Sequence, residues 1–207
     1  MAIAQFVVNG LLVGALFAAV AVGFALIWGV VDIINLAHGE MVMLGGYTAY
    51  WLLSIVTGTA EGSVLLFLAT IPVVVGVLFV VGYALQPTLV SRVIGTDIFL
   101  TLLVTFGISI AIQQLAIQVW TANPRSIQVA FADPSMNLAG LVVPKMKLVA
   151  FAGAIVLTAI LYLFLQRTRT GRAIRAVSQN PEAAALVGID VEHTRAVTFG
   201  ISSAVAG

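Results

Sequence analysis

Long apolar runs alternate with short polar stretches along the whole of this sequence. Phe6–Val31, Met41–Thr57, Val64–Leu85, Ile98–Ala122 and Leu148–Leu165 contain no Asp, Glu, Lys or Arg, and a further apolar run begins near Ala196. A helix needs roughly 20 apolar residues to cross a hydrocarbon core of about 30 Å. The pattern therefore predicts an all-α, polytopic helical membrane protein with about five full spans and the start of a sixth. The last run reaches only Gly207, too short to cross, so the chain reads as cut inside a span. No short repeat or soluble segment interrupts the spans, and residues 1–207 are expected to form one transmembrane domain, here partial.

Composition strengthens this reading. The chain has 207 residues, 61% hydrophobic and only 8% charged. A soluble domain carries roughly 25% charged residues, so lipid is the solvent this chain requires. The net charge of +1 comes with no basic stripe, and nucleic acid is not an expected partner. Cys is absent, which excludes disulfide frameworks and thiolate metal sites. No basic n-region precedes Phe6, so the first run reads as a retained span and not a cleaved signal peptide.

Polar residues inside such a chain are the candidates for function, because they are costly near hydrocarbon. The densest group is DIINLAHGE, with Asp32, Asn35, His38 and Glu40 within nine residues between two apolar runs. Irregular backbone at membrane depth survives only against protein or water, and Gly39, Gly45 and Gly46 would permit a break there. Asn35, His38 and Glu40 are the candidates for lining a permeation path. The alternative is that they satisfy broken-helix backbone and one another. His38 and Glu40 have no second ligand pair, which argues against a metal. Gln114 and Gln118 share a helical face and could line the path or bind a neighbouring helix. Gly10 and Gly14 form a small-xxx-small stripe suited to close helix approach, within the chain or in a dimer. Pro72 predicts a kink in the third span, Gln86–Asp97 reads as a polar connection, and Asn123–Lys147 is the longest loop, with Pro124, Pro134 and Pro144.

Arg167, Arg169, Arg172 and Arg175 follow the fifth span, so loop 166–195 is expected on the cytoplasmic side. Loop 123–147 then lies outside, although Arg125, Lys145 and Lys147 run against the bias; the denser arginine cluster decides. Within the cytoplasmic loop, Ser178–Gly188 reads as a short helix. Asn180 suits the N-cap and Pro181 the first turn. Glu182 suits the positive end of the dipole, and Gly188 suits a left-handed C′ position. Such a helix either anchors two spans or docks a soluble partner.

Glu182–Ala183–Ala184, three residues, then Gly188, resembles the first half of the EAA loop of bacterial ABC importer permeases; the later Ile-x-Leu-Pro part is not met, since Thr198–Ile201 reads TFGI. NGLLVGALFAAVAVGFALIWGVVDIINLAHGEMVMLGGY and RTRTGRAIRAVSQNPEAAALVGIDVEHTRAVTFGISSAVAG are similar to the permease subunits of high-affinity branched-chain amino acid ABC transporters. The resemblance implies an inner-membrane subunit that carries leucine, isoleucine and valine and works without a cofactor. It also implies partners: a second permease, two cytoplasmic ATPases and a periplasmic binding protein. Glu182, Ala183, Ala184 and Gly188 would then couple to the ATPase. The same family includes permeases for urea and short-chain amides. The residues agree on mechanism, because no GxxxxGK[ST] segment is present and ATP must be handled by a partner.

Three other readings compete, one of them a purely structural or assembly subunit, to which the early end of the chain adds weight. An ion-coupled secondary carrier calls for mid-span carboxylates and an inverted repeat, whereas Asp32 and Glu40 sit at a span boundary. A membrane hydrolase calls for a nucleophile with a base in reach, and neither His38 nor His193 comes with a GxSxG segment. The chain is therefore expected not to be an enzyme.

Overall fold

The computed structural model describes residues 2–59, 61–130, 135–138 and 141–207. Pro134, in the expected long loop, lies outside the described residues. The chain order is α1 (Ala2–Val31), α2 (His38–Thr57), β1 (Glu61–Ser63), α3 (Val64–Leu85), α4 (Ile98–Trp120), β2 (Gln128–Ala130), β3 (Ser135–Leu138), β4 (Leu141–Pro144), α5 (Lys145–Arg167), α6 (Arg169–Gln179), α7 (Pro181–Leu186) and α8 (Val191–Ala206). Among the described residues four helical segments are long and apolar enough to cross a membrane: Ile3–Val31, Val64–Val90, Ile98–Trp120 and Lys145–Arg167. α2, the helix of the expected second span, is of comparable length but starts on His38 and Glu40 and is not among these four.

α8 occupies the middle of the bundle, packed between α1 and α3, with α2 beside it. Its seams are made of small residues. A Cβ on Gly82 of α3 would lie 2.7 Å from Ser203 Cβ, and one on Gly200 would lie 2.9 Å from the Phe79 carbonyl. A Cβ on Gly45 of α2 would lie 2.6 Å from Gly207 Cα. Backbones that close gain dispersion contacts, which drive association where lipid removes the hydrophobic term.

One end of the bundle is closed by an apolar cluster of Ile27, Val31, Ile33, Val90, Ile174, Val177, Ala184 and Phe199, drawn from α1, α6, α7, α8 and the connections. α6 forms because Thr168 accepts from the Gly171 N–H at 2.9 Å and because Ile174 and Val177 fall on one face. A Cβ on Gly171 would lie 2.6 Å from Leu165 Cα, so glycine lets α6 fold back against the end of α5. At the opposite end β1 pairs in parallel with β2, and β3 with β4 antiparallel. Gln5 ties the start of α1 there, donating to the Val142 carbonyl at 2.7 Å and accepting from its N–H at 2.9 Å.

Several expectations need correction. The break between α1 and α2 falls on residues 32–37, not at Gly39, Gly45 or Gly46, which lie inside α2. Asp32 takes the positive φ of 56° that the break demands, a conformation Asp tolerates better than most residues. Gln86–Asp97 is not a polar connection throughout, because a π-helical turn over Gln86–Val90 extends α3 and buries Gln86 and Val90. Loop 123–147 is partly strand, and α5 starts within it at Lys145. The closing segment begins at Val191, not Ala196, because Asp190 caps α8 by accepting from the His193 N–H at 2.9 Å. No described residue packs on Gly10 or Gly14, and the close approach on α1 is made at Gly23 instead.

Candidate functional site

The irregular stretch between α1 and α2 is held by its own polar groups and by α4. The Asp32 N–H donates to the Trp28 carbonyl at 3.1 Å and closes the last turn of α1. Asn35 is buried and its Oδ1 accepts from the Ala37 N–H at 3.1 Å, a side-chain turn that substitutes for helical backbone pairing. Thr105 of α4, fully buried, donates to the Ile34 carbonyl at 3.1 Å. These two bonds satisfy part of the backbone that has left the helix, while Asn35 Nδ2 is buried without a hydrogen-bond partner among the described residues.

His38 opens α2 and turns towards α1. Its Nε2 lies 3.0 Å from the Val20 carbonyl. A carbonyl only accepts, so Nε2 carries the proton. The ring meets Phe24 edge-on at 5.7 Å. Gly23 provides the room: a Cβ there would lie 3.3 Å from His38 Cε1. Glu40 turns the other way, towards α4. Its Oε1 accepts from Ser109 Oγ at 2.8 Å and from Gln113 Nε2 at 2.6 Å. Ser109 and Gln113 are one turn apart and form a two-donor clamp on the carboxylate.

The three candidates therefore do not converge. Asn35 serves its own turn, His38 ties α2 to α1, and Glu40 ties α2 to α4. α2 buries His38, Met41, Gly45, Ala49 and Leu53, a stripe at intervals of three and four, and leaves the opposite face open. That open face lines a cavity of about 570 Å³, bounded by Gly39, Val42, Met43, Gly46, Tyr47, Tyr50, Arg125 and Ile127. Gly39 and Gly46 form its floor, with open space where a Cβ would sit.

Arg125 reaches this cavity because the chain reverses sharply after α4. Thr121 adopts φ 66° and ψ 164°, a region that costs a non-glycine residue about 1–3 kcal/mol. The Arg125 guanidinium then lies 5.2 Å from the Tyr50 ring centre and 5.1 Å from that of Trp51. Its Nη2 donates to the Trp120 carbonyl at 3.0 Å. The Trp120 ring stacks on Tyr47 at 4.5 Å. Sequence reasoning placed Arg125 only among loop charges and passed over Thr105, Ser109, Tyr47 and Trp120. It paired Gln114 with Gln118, both exposed, as lining the path or binding a neighbouring helix, whereas Gln113 is the glutamine that reaches Glu40. A signal was present, since Ser109 and Gln113 are themselves an i,i+4 pair.

At the far end of the bundle α7 has the expected caps. Asn180 Oδ1 accepts from the Ala183 N–H at 2.9 Å. Pro181 opens the helix, and Gly188 has φ 83°. Ala184 points into the core cluster. Glu182 and Ala183 are exposed, and the helix ends on Leu186 and Val187, which are 89% and 76% exposed. Among the described residues no group of three or more His, Cys, Asp and Glu is placed to hold a metal ion.

Comparison with known proteins fits this architecture. The high-affinity branched-chain amino acid transport system permease protein BraD of Pseudomonas aeruginosa is 30% identical over 209 residues, covering 98% of this chain and 67% of BraD. The corresponding protein LivH of Escherichia coli is 24% identical, covering 96% of this chain and 66% of LivH. A probable branched-chain amino acid transport permease protein LivH of Methanocaldococcus jannaschii is 30% identical, covering 90% of this chain and 58% of the relative. The chain thus spans about two thirds of the length of the first two relatives. No solved structure matches it at a significant level. Residues 6–207 match the family described as branched-chain amino acid transport system / permease component. A bundle of lipid-facing helices, opened by a polar break and matched along nearly its whole length, places this chain in the family of branched-chain amino acid transport permease components.

Proposed function

We propose that this chain is the inner-membrane permease subunit of an ABC importer for leucine, isoleucine and valine. In this reading α2 is a fifth span, and the end bearing α6 and α7 faces the cytoplasm, as the exposed Arg167, Arg169, Arg172 and Arg175 favour. The cavity at Tyr47, Tyr50 and Arg125 then opens towards the outside, where a periplasmic binding protein delivers cargo. A second permease completes the pathway, and two cytoplasmic ATPases drive it. Glu40, held by Ser109 and Gln113, forms a polar wall of the path. Asn35 and His38 fix the break that positions it.

The observation that carries the reading is α7. Glu182, Ala183, Ala184 and Gly188 build a short capped helix that presents Leu186 and Val187 to water, beside a cluster of arginines. An exposed apolar tip on a polar surface marks a protein contact. Ala184, buried beneath, would pass a push on that tip into the cluster joining α1, α6 and α8. Replacing Leu186 and Val187 together by Glu should lower leucine uptake and leucine-stimulated ATP hydrolysis of the reconstituted importer by about thirtyfold, the scale of a hot-spot contact. The permease itself should still purify folded. Uptake equal to that of the unmodified importer would remove α7 from the coupling.

A further inference from the structure

Among the described residues that line the cavity along α2, one is cationic, and it is set in an aromatic frame. Arg125 lies over Tyr50 and Trp51, and Trp120, whose carbonyl it holds, stacks on Tyr47. A guanidinium has five N–H donors in a planar fork. The bond to Trp120 is the one hydrogen bond Arg125 makes among the described residues, and no described carboxylate pairs with it. The Tyr50 and Trp51 rings flank it, and its remaining N–H donors have no hydrogen-bond partner among the described residues. The rest of the cavity wall includes Val42, Met43 and Ile127, which are apolar, and Tyr47 and Tyr50, whose ring faces attract cations. Its volume of about 570 Å³ falls within the range usual for small-molecule sites.

We propose that Arg125 is the carboxylate-recognition residue of the permease and that this cavity admits aliphatic α-amino acids by that contact. The fork of Arg125 pairs with the cargo carboxylate in the bidentate geometry that guanidinium favours. The aliphatic side chain lies against Val42, Met43 and Ile127. The cargo ammonium lies against the tyrosine faces. A neutral amide such as urea gives the fork no anion, so the site discriminates between the two cargo classes the family resemblance leaves open. This inference rests on the importer reading and deepens it.

Trp51 and Trp120 bracket Arg125, so binding can be read directly on the purified permease by tryptophan fluorescence. L-leucine should change the emission of the unmodified protein, whereas L-leucinamide and urea, which lack the carboxylate, should not. Arg125→Gln should weaken the leucine response by about ten- to a hundredfold, the scale of one charge-assisted hydrogen-bonded contact. Arg125→Lys, which keeps the charge without the fork, should fall between. Arg125 is exposed on a loop, and gel filtration with a thermal melt checks that each variant folds. In the reconstituted importer Arg125→Gln should raise the KM for leucine by the same factor. If leucine is transported but Arg125→Gln neither weakens the response nor raises KM, the inference is overturned and the importer reading stands. If the unmodified importer moves urea and not leucine, both are overturned.

Discussion

α3 and α8 lie against each other along the centre of the bundle and follow opposite rules. α3 is among the most apolar segments of the chain, yet Leu65, Val73, Val77 and Val80 are exposed, and its buried stripe is only Thr70, Val74, Leu78 and Gly82. α8 is rich in Ser, Thr, Ala and Gly, yet Thr194, Thr198, Ser202 and Ser203 are all buried. In water the order would be reversed. In lipid, apolar surface is already solvated, so burial goes to residues that gain by leaving lipid: hydroxyls that need partners and small side chains that let backbones meet. Three of these four hydroxyls find partners, locally or across the seam, while Ser203 Oγ is buried against Gly82 without a hydrogen-bond partner among the described residues. Thr194 donates to the Asp190 carbonyl at 2.6 Å and Thr198 to the Thr194 carbonyl at 2.7 Å. Ser202 crosses to the Gly23 carbonyl of α1 at 2.5 Å.

The contrast breaks first where the two helices touch. Gly82→Leu puts a side chain where Ser203 Cβ and the Phe199 carbonyl already stand, 2.7 and 2.8 Å from the new Cβ. Backbone cannot yield there as a flexible side chain would. The cost should reach about 3 kcal/mol, the upper part of the overpacking range, read as a lower midpoint in denaturation from detergent micelles. A cost near zero would mean that α8 is not seated against α3.

Ser202→Ala tests the polar half of the contrast at a smaller scale. It removes the bond to Gly23, but that carbonyl lies in mid-helix and keeps its own helical donor. The loss should therefore be about 0.6 kcal/mol, the mean for interhelical hydrogen bonds in membranes. A loss several times larger would show that the Ser202 bond, and not small-residue packing, holds α8 to α1.

The same inversion explains what could be read from the sequence. Four of the five expected full spans were legible, because lipid selects apolar composition along a whole segment: α3 runs from Val64 to Leu85, as the run itself does. α7 was legible because caps are local chemistry, and Asn180, Pro181 and Gly188 stand where the rules put them. α6 was hidden. Its arginines dominate the segment, and Ile174 and Val177 beneath them are too few to form a run. Which face of a span is inside was also hidden, since apolarity carries no such information in lipid. The candidate site suffered most. Glu40 was picked out by its cost, but its partners Ser109 and Gln113 lie 69 and 73 residues further on. Arg125 comes over α2 only through the reversal at Thr121, which no residue type announces.

The smallest expected effect is the sharpest test of the contrast. Val80 sits within the apolar run of α3 and is 64% exposed. In a soluble core, shortening such a residue to Ala would cost transfer energy and leave a cavity. On a lipid-facing surface the acyl chains fill the space, and the transfer term vanishes because lipid is as apolar as the methyl groups removed. Ala is also the better helix former. Val80→Ala should therefore shift stability by less than about 0.5 kcal/mol, in the same micelle assay that registers Gly82→Leu. A clear loss would mean that Val80 is covered by protein. That face of α3 would then belong to an interface with a partner, and the rule that separates α3 from α8 would hold only for its remaining surface.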